Sequence, residues 1–90
     1  MGSQRIKVGE KNVIGANIRR LRLKRRMHQT DLARTVIKEG IPFSRECLVK
    51  IEGGRQHISL DQLNCIRDIL NCSYEDLLGD AYLEDEANEY

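Results

Sequence analysis

The sequence predicts an all-α fold of five short helices, and three observations carry that prediction. Apolar residues recur at three- and four-residue spacings, with no alternating strand pattern anywhere. Four Ser or Asn residues stand directly ahead of those apolar runs, where a side-chain oxygen can accept from the first free N–H groups. Gly, Asn or Pro follows the runs where a helix must stop.

The first helix is expected over residues 13–26, with Ile14, Ile18, Leu21 and Leu23 on its apolar side and Asn12 as its cap. Its outer side carries Arg19, Arg20, Arg22, Lys24, Arg25 and Arg26. The second, residues 29–38, is flanked by Met27 and Leu32 at the spacing of a hydrophobic staple. Asp31 favours its positive N-terminal end, and Gly40 and Pro42 stop it. The third starts behind Ser44, with Phe43 and Leu48 as a second staple, and ends at Gly53-Gly54, where a left-handed residue can satisfy the last carbonyls.

Ser59 and Gln62 form a capping box for the fourth helix, which carries Leu60, Leu63, Ile66 and Leu70 and closes at Asn71. Ser73 caps the fifth, with Glu75 and Asp76 in its first turn, Leu77 and Leu78 expected to be buried, and Gly79 as its stop. The division that follows is an arm over residues 1–11, a domain over 12–79 and an acidic tail over 80–90, with Met1-Gly2-Ser3 read as foreign to the fold.

Ninety residues with 32% charged and 40% hydrophobic content suit one domain with a modest aliphatic core. The net charge of +1 hides a marked polarity. Residues 1–55 hold 14 Lys and Arg against 5 Asp and Glu, a balance of +9; residues 56–90 hold 1 against 9, a balance of −8. A basic half beside an acidic half implies a surface for an anionic polymer and another that stays away from it.

Several classes of function are disfavoured. Cys47, Cys65 and Cys72 are odd in number and lack paired spacing, which points to a reducing intracellular setting rather than a disulfide framework. With only His28 and His57 to join them, no metal site or cofactor is expected. No run approaches the roughly 18 apolar residues of a membrane span, and the start of the chain lacks a secretory apolar region. No nucleophile–base set or phosphate loop suggests an enzyme.

The segments resemble a known family when taken in order: Ile14-Gly15, Ile18-Arg19-x-Leu21-Arg22, Gln29-x-x-Leu32-Ala33, Phe43-Ser44-x-x-x-Leu48-x-x-Ile51-Glu52-x-Gly54, Ser59-Leu60-x-x-Leu63-x-x-Ile66 and Ser73-x-x-x-Leu77-Leu78. This series over residues 14–78 resembles the XRE-type, Cro and cI repressor-like helix-turn-helix domains. The resemblance implies a five-helix lambda-repressor-like bundle whose second and third helices form the motif. Here their connection is about five residues longer than a usual turn, the extra length lying within residues 37–42. Arg26 and Arg67 stand where Gly and Ala are common, and His28 replaces the usual Ser or Thr.

The resemblance also implies a sequence-specific regulator of double-stranded DNA, with residues 44–52 in the major groove. On a helical wheel Arg45, Glu46, Val49 and Lys50 share one face, while Leu48 and Ile51 face away. Arg45 and Lys50 can donate to guanine, Glu46 can accept from cytosine, and Val49 can touch a thymine methyl. Gln29, Ser44, Arg55, Gln56, His57 and Arg19 are the expected phosphate contacts. Arg22 and Glu52 resemble the family's orienting pair, and Ala33 gives room for the steep helix crossing.

A domain this small reads few base pairs, so a homodimer on a two-fold operator is expected, with Ile69, Tyr74, Tyr82 and Leu83 as candidate contacts. The acidic C-terminal part is a candidate surface for a protein partner. A cytoplasmic, nucleoid-associated repressor is the leading reading. An antitoxin that silences its own operon and a protein-interaction module without DNA binding stay open beside it.

Overall fold

The computed structural model describes residues 13–79, and within them the chain forms five α-helices and no strand: α1 Val13–Lys24, α2 Gln29–Lys38, α3 Arg45–Glu52, α4 Leu60–Leu70 and α5 Tyr74–Leu78. The N-terminal arm, the acidic tail, the Asn12 cap, Tyr82 and Leu83 lie outside the described residues. Helix α1 packs against α3, α4 and α5, and α2 packs against α3 and α4.

The core lies where these helices meet. Ile18, Leu32, Val36, Leu48, Ile66, Leu70 and Leu77 are fully buried, with Leu21, Ile51, Leu63 and Cys65 almost so. Burying an aliphatic side chain of this size contributes about 1.5–3 kcal/mol, so this set is the main force holding the bundle. Met27 and Phe43, expected as staples, pack against it. Ala33 on α2 is 2% exposed, so a larger side chain there would overpack its surroundings.

Three residues expected in the apolar faces are instead exposed: Leu23, Leu60 and Leu78. Geometry accounts for each. Leu23 follows Leu21 by two positions, a rotation of about 200° on a helix, so only one can face inward. Leu60 is the first residue of α4 and projects beyond the packed layer. Leu78 ends α5, about 100° from the buried Leu77.

Local signals fix most helix ends. Ser44 accepts from the Cys47 N–H at 3.0 Å, Ser59 from Gln62 at 3.1 Å and Ser73 from Asp76 at 3.0 Å. The Gln62 and Asp76 side chains reach back to the N–H groups of Ser59 and Ser73, closing two capping boxes. At α2, where His28 replaces Ser or Thr, the Asp31 carboxylate still accepts from the His28 N–H at 2.8 Å.

Helix α1 ends at Lys24, two residues earlier than expected, because Arg26 adopts a left-handed conformation with φ of 59°. The Met27 N–H then reaches the Arg22 carbonyl at 3.0 Å, and the Arg26 N–H reaches Leu23. This pattern explains why glycine is common at that position, since a Cβ is strained there. Asn71 at φ 53° closes α4 in the same way, and Gly54 at φ 76° closes α3.

Candidate nucleic-acid interface

Helix α3 has one face that packs and one that does not. Leu48, Ile51 and Glu52 are buried; Arg45, Glu46 and Lys50 are exposed; Val49 is half-buried at the margin. The outward set follows from the inward one, because i, i+3 and i+4 share a side and the remaining positions turn from it. The result is an exposed strip with two cations, one carboxylate and one small apolar side chain, all able to meet groups on base edges.

A single buried carboxylate holds this strip in place. Glu52, the last residue of α3, is only 7% exposed and receives a two-pronged ion pair from Arg22 of α1. Arg22 Nε meets Oε2 at 2.7 Å, and the guanidinium's terminal nitrogen meets Oε1 at 2.9 Å. The other terminal nitrogen of Arg22 donates to the Met27 carbonyl at 2.9 Å, just ahead of α2. Gln29 Nε2 of α2 donates to Glu52 Oε1 at 3.1 Å. Three helices therefore converge on one carboxylate, and a parallel fork of bonds fixes angle as well as distance.

The lengthened connection between α2 and α3 packs against the core and α4. Gly40 takes φ 86°, Ile41 packs against the core, and Gln62 of α4 donates to the Pro42 carbonyl at 3.1 Å. The extra residues thus lean on α4. Together they frame an open groove of about 500 Å³ lined by Glu39, Ile41, Asp61, Asn64, Cys65, Asp68 and Ile69. Burial there, reinforced by Glu39 and Asp68, raises the Cys65 thiol above its ordinary pKa.

The expected phosphate contacts fall in three places. Ser44 and Gln29 begin α3 and α2, where helix N–H groups lack internal acceptors; the Ser44 hydroxyl is occupied as a cap, and the Gln29 amide is shared with Glu52. Arg55, Gln56 and His57 are exposed on the segment leaving α3. Gln56 folds back so that its side-chain amide lies against the Cys47 thiol. Arg19 is exposed on α1, one turn before Arg22.

The basic side of α1 is not one surface. Arg22 is buried in the ion pair, and Arg25 Nε donates to the Leu70 carbonyl at 2.9 Å, satisfying the end of α4. Arg20 reaches the Asp76 carbonyl at 3.3 Å. Asn17, wholly buried, donates to the carbonyls of Leu77 and Gly79 at the end of α5. None of these partners has a local signal, since each joins positions far apart in the chain.

Tyr74, a candidate dimer contact, is tied to its own fold. Its hydroxyl bonds Asn64, and Arg67 lies over its ring at 4.6 Å. Ile69 packs half-buried against the core. Among the described residues no cluster of His, Cys, Asp or Glu could hold a metal ion, and no helix is long and apolar enough to cross a membrane.

Two helices in contact, joined by a short connection, the second with an exposed polar strip and its end tied to the first through Gln29 and Glu52, have the arrangement of a helix-turn-helix domain. The chain belongs to the Cro/C1-type HTH DNA-binding domain family, whose pattern it matches over residues 17–81. Neither the curated proteins nor the solved structures yield a match.

Proposed function

We propose that this protein is a sequence-specific transcriptional regulator, acting as a repressor, which lays α3 in the major groove of duplex DNA. The observation that carries the reading is the exposure of Arg45 and Lys50 on a helix whose opposite side is locked by the Arg22–Glu52 pair. A reading helix needs both an open face and a fixed tilt. Arg45 and Lys50 donate to guanine O6 and N7, Glu46 accepts from cytosine N4, and Val49 meets a thymine methyl. Gln29, Ser44, Arg55, Gln56, His57 and Arg19 set the register through the phosphates.

A dimer on a two-fold operator supplies the length of sequence that one short helix lacks. Occluding a promoter needs only such binding, and the site is that of the chromosomal DNA inside the cell. The acidic C-terminal part keeps like charge off the duplex.

Selection of bound duplexes from a random pool tests the reading, followed by titration of the enriched sequence at several salt concentrations. An enriched motif with two-fold symmetry is expected. Its affinity should fall with salt at a log–log slope of about −5 to −9 for a dimer that neutralises roughly 3–5 phosphates per subunit. No enrichment together with a flat salt response contradicts it.

A further inference from the structure

We propose that Gln62 is a positioning residue, which sets the N-terminal end of the reading helix by holding the Pro42 carbonyl. The inference rests on the DNA-binding reading above and gives the lengthened connection a role in it. Both ends of the Gln62 carboxamide are in use. Its Oε1 accepts from the Ser59 N–H at 3.0 Å, closing the α4 capping box, and its Nε2 donates to the Pro42 carbonyl at 3.1 Å, 20 positions back in the chain. A capping box needs only the oxygen. The nitrogen acts on a different element.

Pro42 is a point from which such a bond reaches α3. It stands two positions before the Ser44 cap, and its ring fixes φ at about −65°. Phe43, between the two, packs against the core. The chain has already turned at Gly40, with φ of 86°, so residues 42–44 pass the place of the Pro42 carbonyl on to the first turn of α3.

The two ends of α3 are thus held differently. At the C-terminal end, buried Glu52 takes two charge-assisted bonds from Arg22. At the N-terminal end the tie to α4 is one neutral hydrogen bond open to solvent. With Glu52 as the fixed point, releasing Gln62 swings Arg45 and Glu46 further than Lys50, which lies two residues from Glu52. Phosphate contacts adapt to such a swing on any duplex, whereas base contacts depend on it.

One substitution separates the two jobs of Gln62. Gln62→Glu keeps an oxygen for the Ser59 N–H, since Glu serves a capping box as Gln does, and sets an acceptor-only carboxylate against the Pro42 carbonyl. Gln62→Ala removes both bonds. The full chain is titrated with the duplex enriched from the random pool and with a random duplex of equal length, beside urea unfolding of each variant. Gln62→Glu is expected to keep a near-native midpoint and to lower the ratio of selected to random affinity about two- to fivefold, the size of one exposed neutral hydrogen bond. The random duplex accounts for the added charge. On single-base variants of the selected duplex, the lost discrimination should fall where Arg45→Ala also relaxes it, not where Lys50→Ala does. Gln62→Ala should give the same ratio at a lower midpoint.

An unchanged ratio for Gln62→Glu, a loss centred on the Lys50 position, or a ratio that falls only in step with the unfolding midpoint would overturn the role of Gln62 while leaving the DNA-binding reading intact. A wild-type protein without preference between the duplexes would overturn both.

Discussion

Asn17 and Leu77 stand 60 positions apart in the chain and are joined by a buried hydrogen bond of 2.8 Å, from the Asn17 Nδ2 to the Leu77 carbonyl. The same amide reaches Gly79 at 2.6 Å, so one side chain of α1 satisfies the end of α5. Replacing it with Ala leaves both carbonyls without their donor, the Leu77 one at a buried position. Asn17→Ala is expected to cost about 1–3 kcal/mol in urea unfolding; a loss within about 0.5 kcal/mol would show that water or another group takes its place.

The lengthened turn depends on a left-handed residue at Gly40, where an added Cβ meets nothing within 4 Å. Only backbone strain therefore opposes substitution. Gly40→Ala should destabilise by about 1–2 kcal/mol, and Gly40→Asn by less, because Asn enters this conformation more readily. Equal costs in thermal unfolding would place the constraint elsewhere.

Acid should loosen α5 in a way that depends on Asp76. Its carboxyl is held below the ordinary carboxylate range by the Ser73 backbone N–H first and the Ser73 hydroxyl second. A pKa depressed by folding means stability that is present above the unfolded value and lost as pH falls through the folded one. The wild-type urea midpoint is thus expected to drop as pH descends from the ordinary carboxylate range, with Asp76→Asn showing a shallower drop. Identical acid limbs would remove Asp76 from the account.

The all-α fold and five helices were legible because their signals are local. Ser44, Ser59, Ser73, Asn71 and Gly54 each act on backbone groups within a few residues, so caps and stops can be read directly from the chain. Leu23, Leu60 and Leu78 were less legible, since burial at a helix end depends on what packs beside it. Arg26 carried a visible sign, standing where glycine is common, but its shortening of α1 required the backbone.

The shared face of Arg45, Glu46, Val49 and Lys50 is legible by periodicity, because the apolar Leu48 and Ile51 mark the opposite side. The bond from Gln29 to Glu52 was not. Neither were the roles of Asn17, Arg20 and Arg25 at the ends of α4 and α5, because a polar residue on a helix reads as solvated until its distant partner is located. Six basic residues were expected on the outer side of the first helix; the helix ends at Lys24, and Arg20, Arg22 and Arg25 bond to distant parts of the chain.

The most direct test of the whole account is the affinity of Lys50→Ala for the selected duplex and for random DNA, measured side by side at one salt concentration. If α3 reads bases through its exposed strip, the selected duplex should lose about 1–3 kcal/mol more than the random one, with discrimination relaxed at a single base position. Equal losses on both would make Lys50 a phosphate contact and contradict the placement of α3 in the groove.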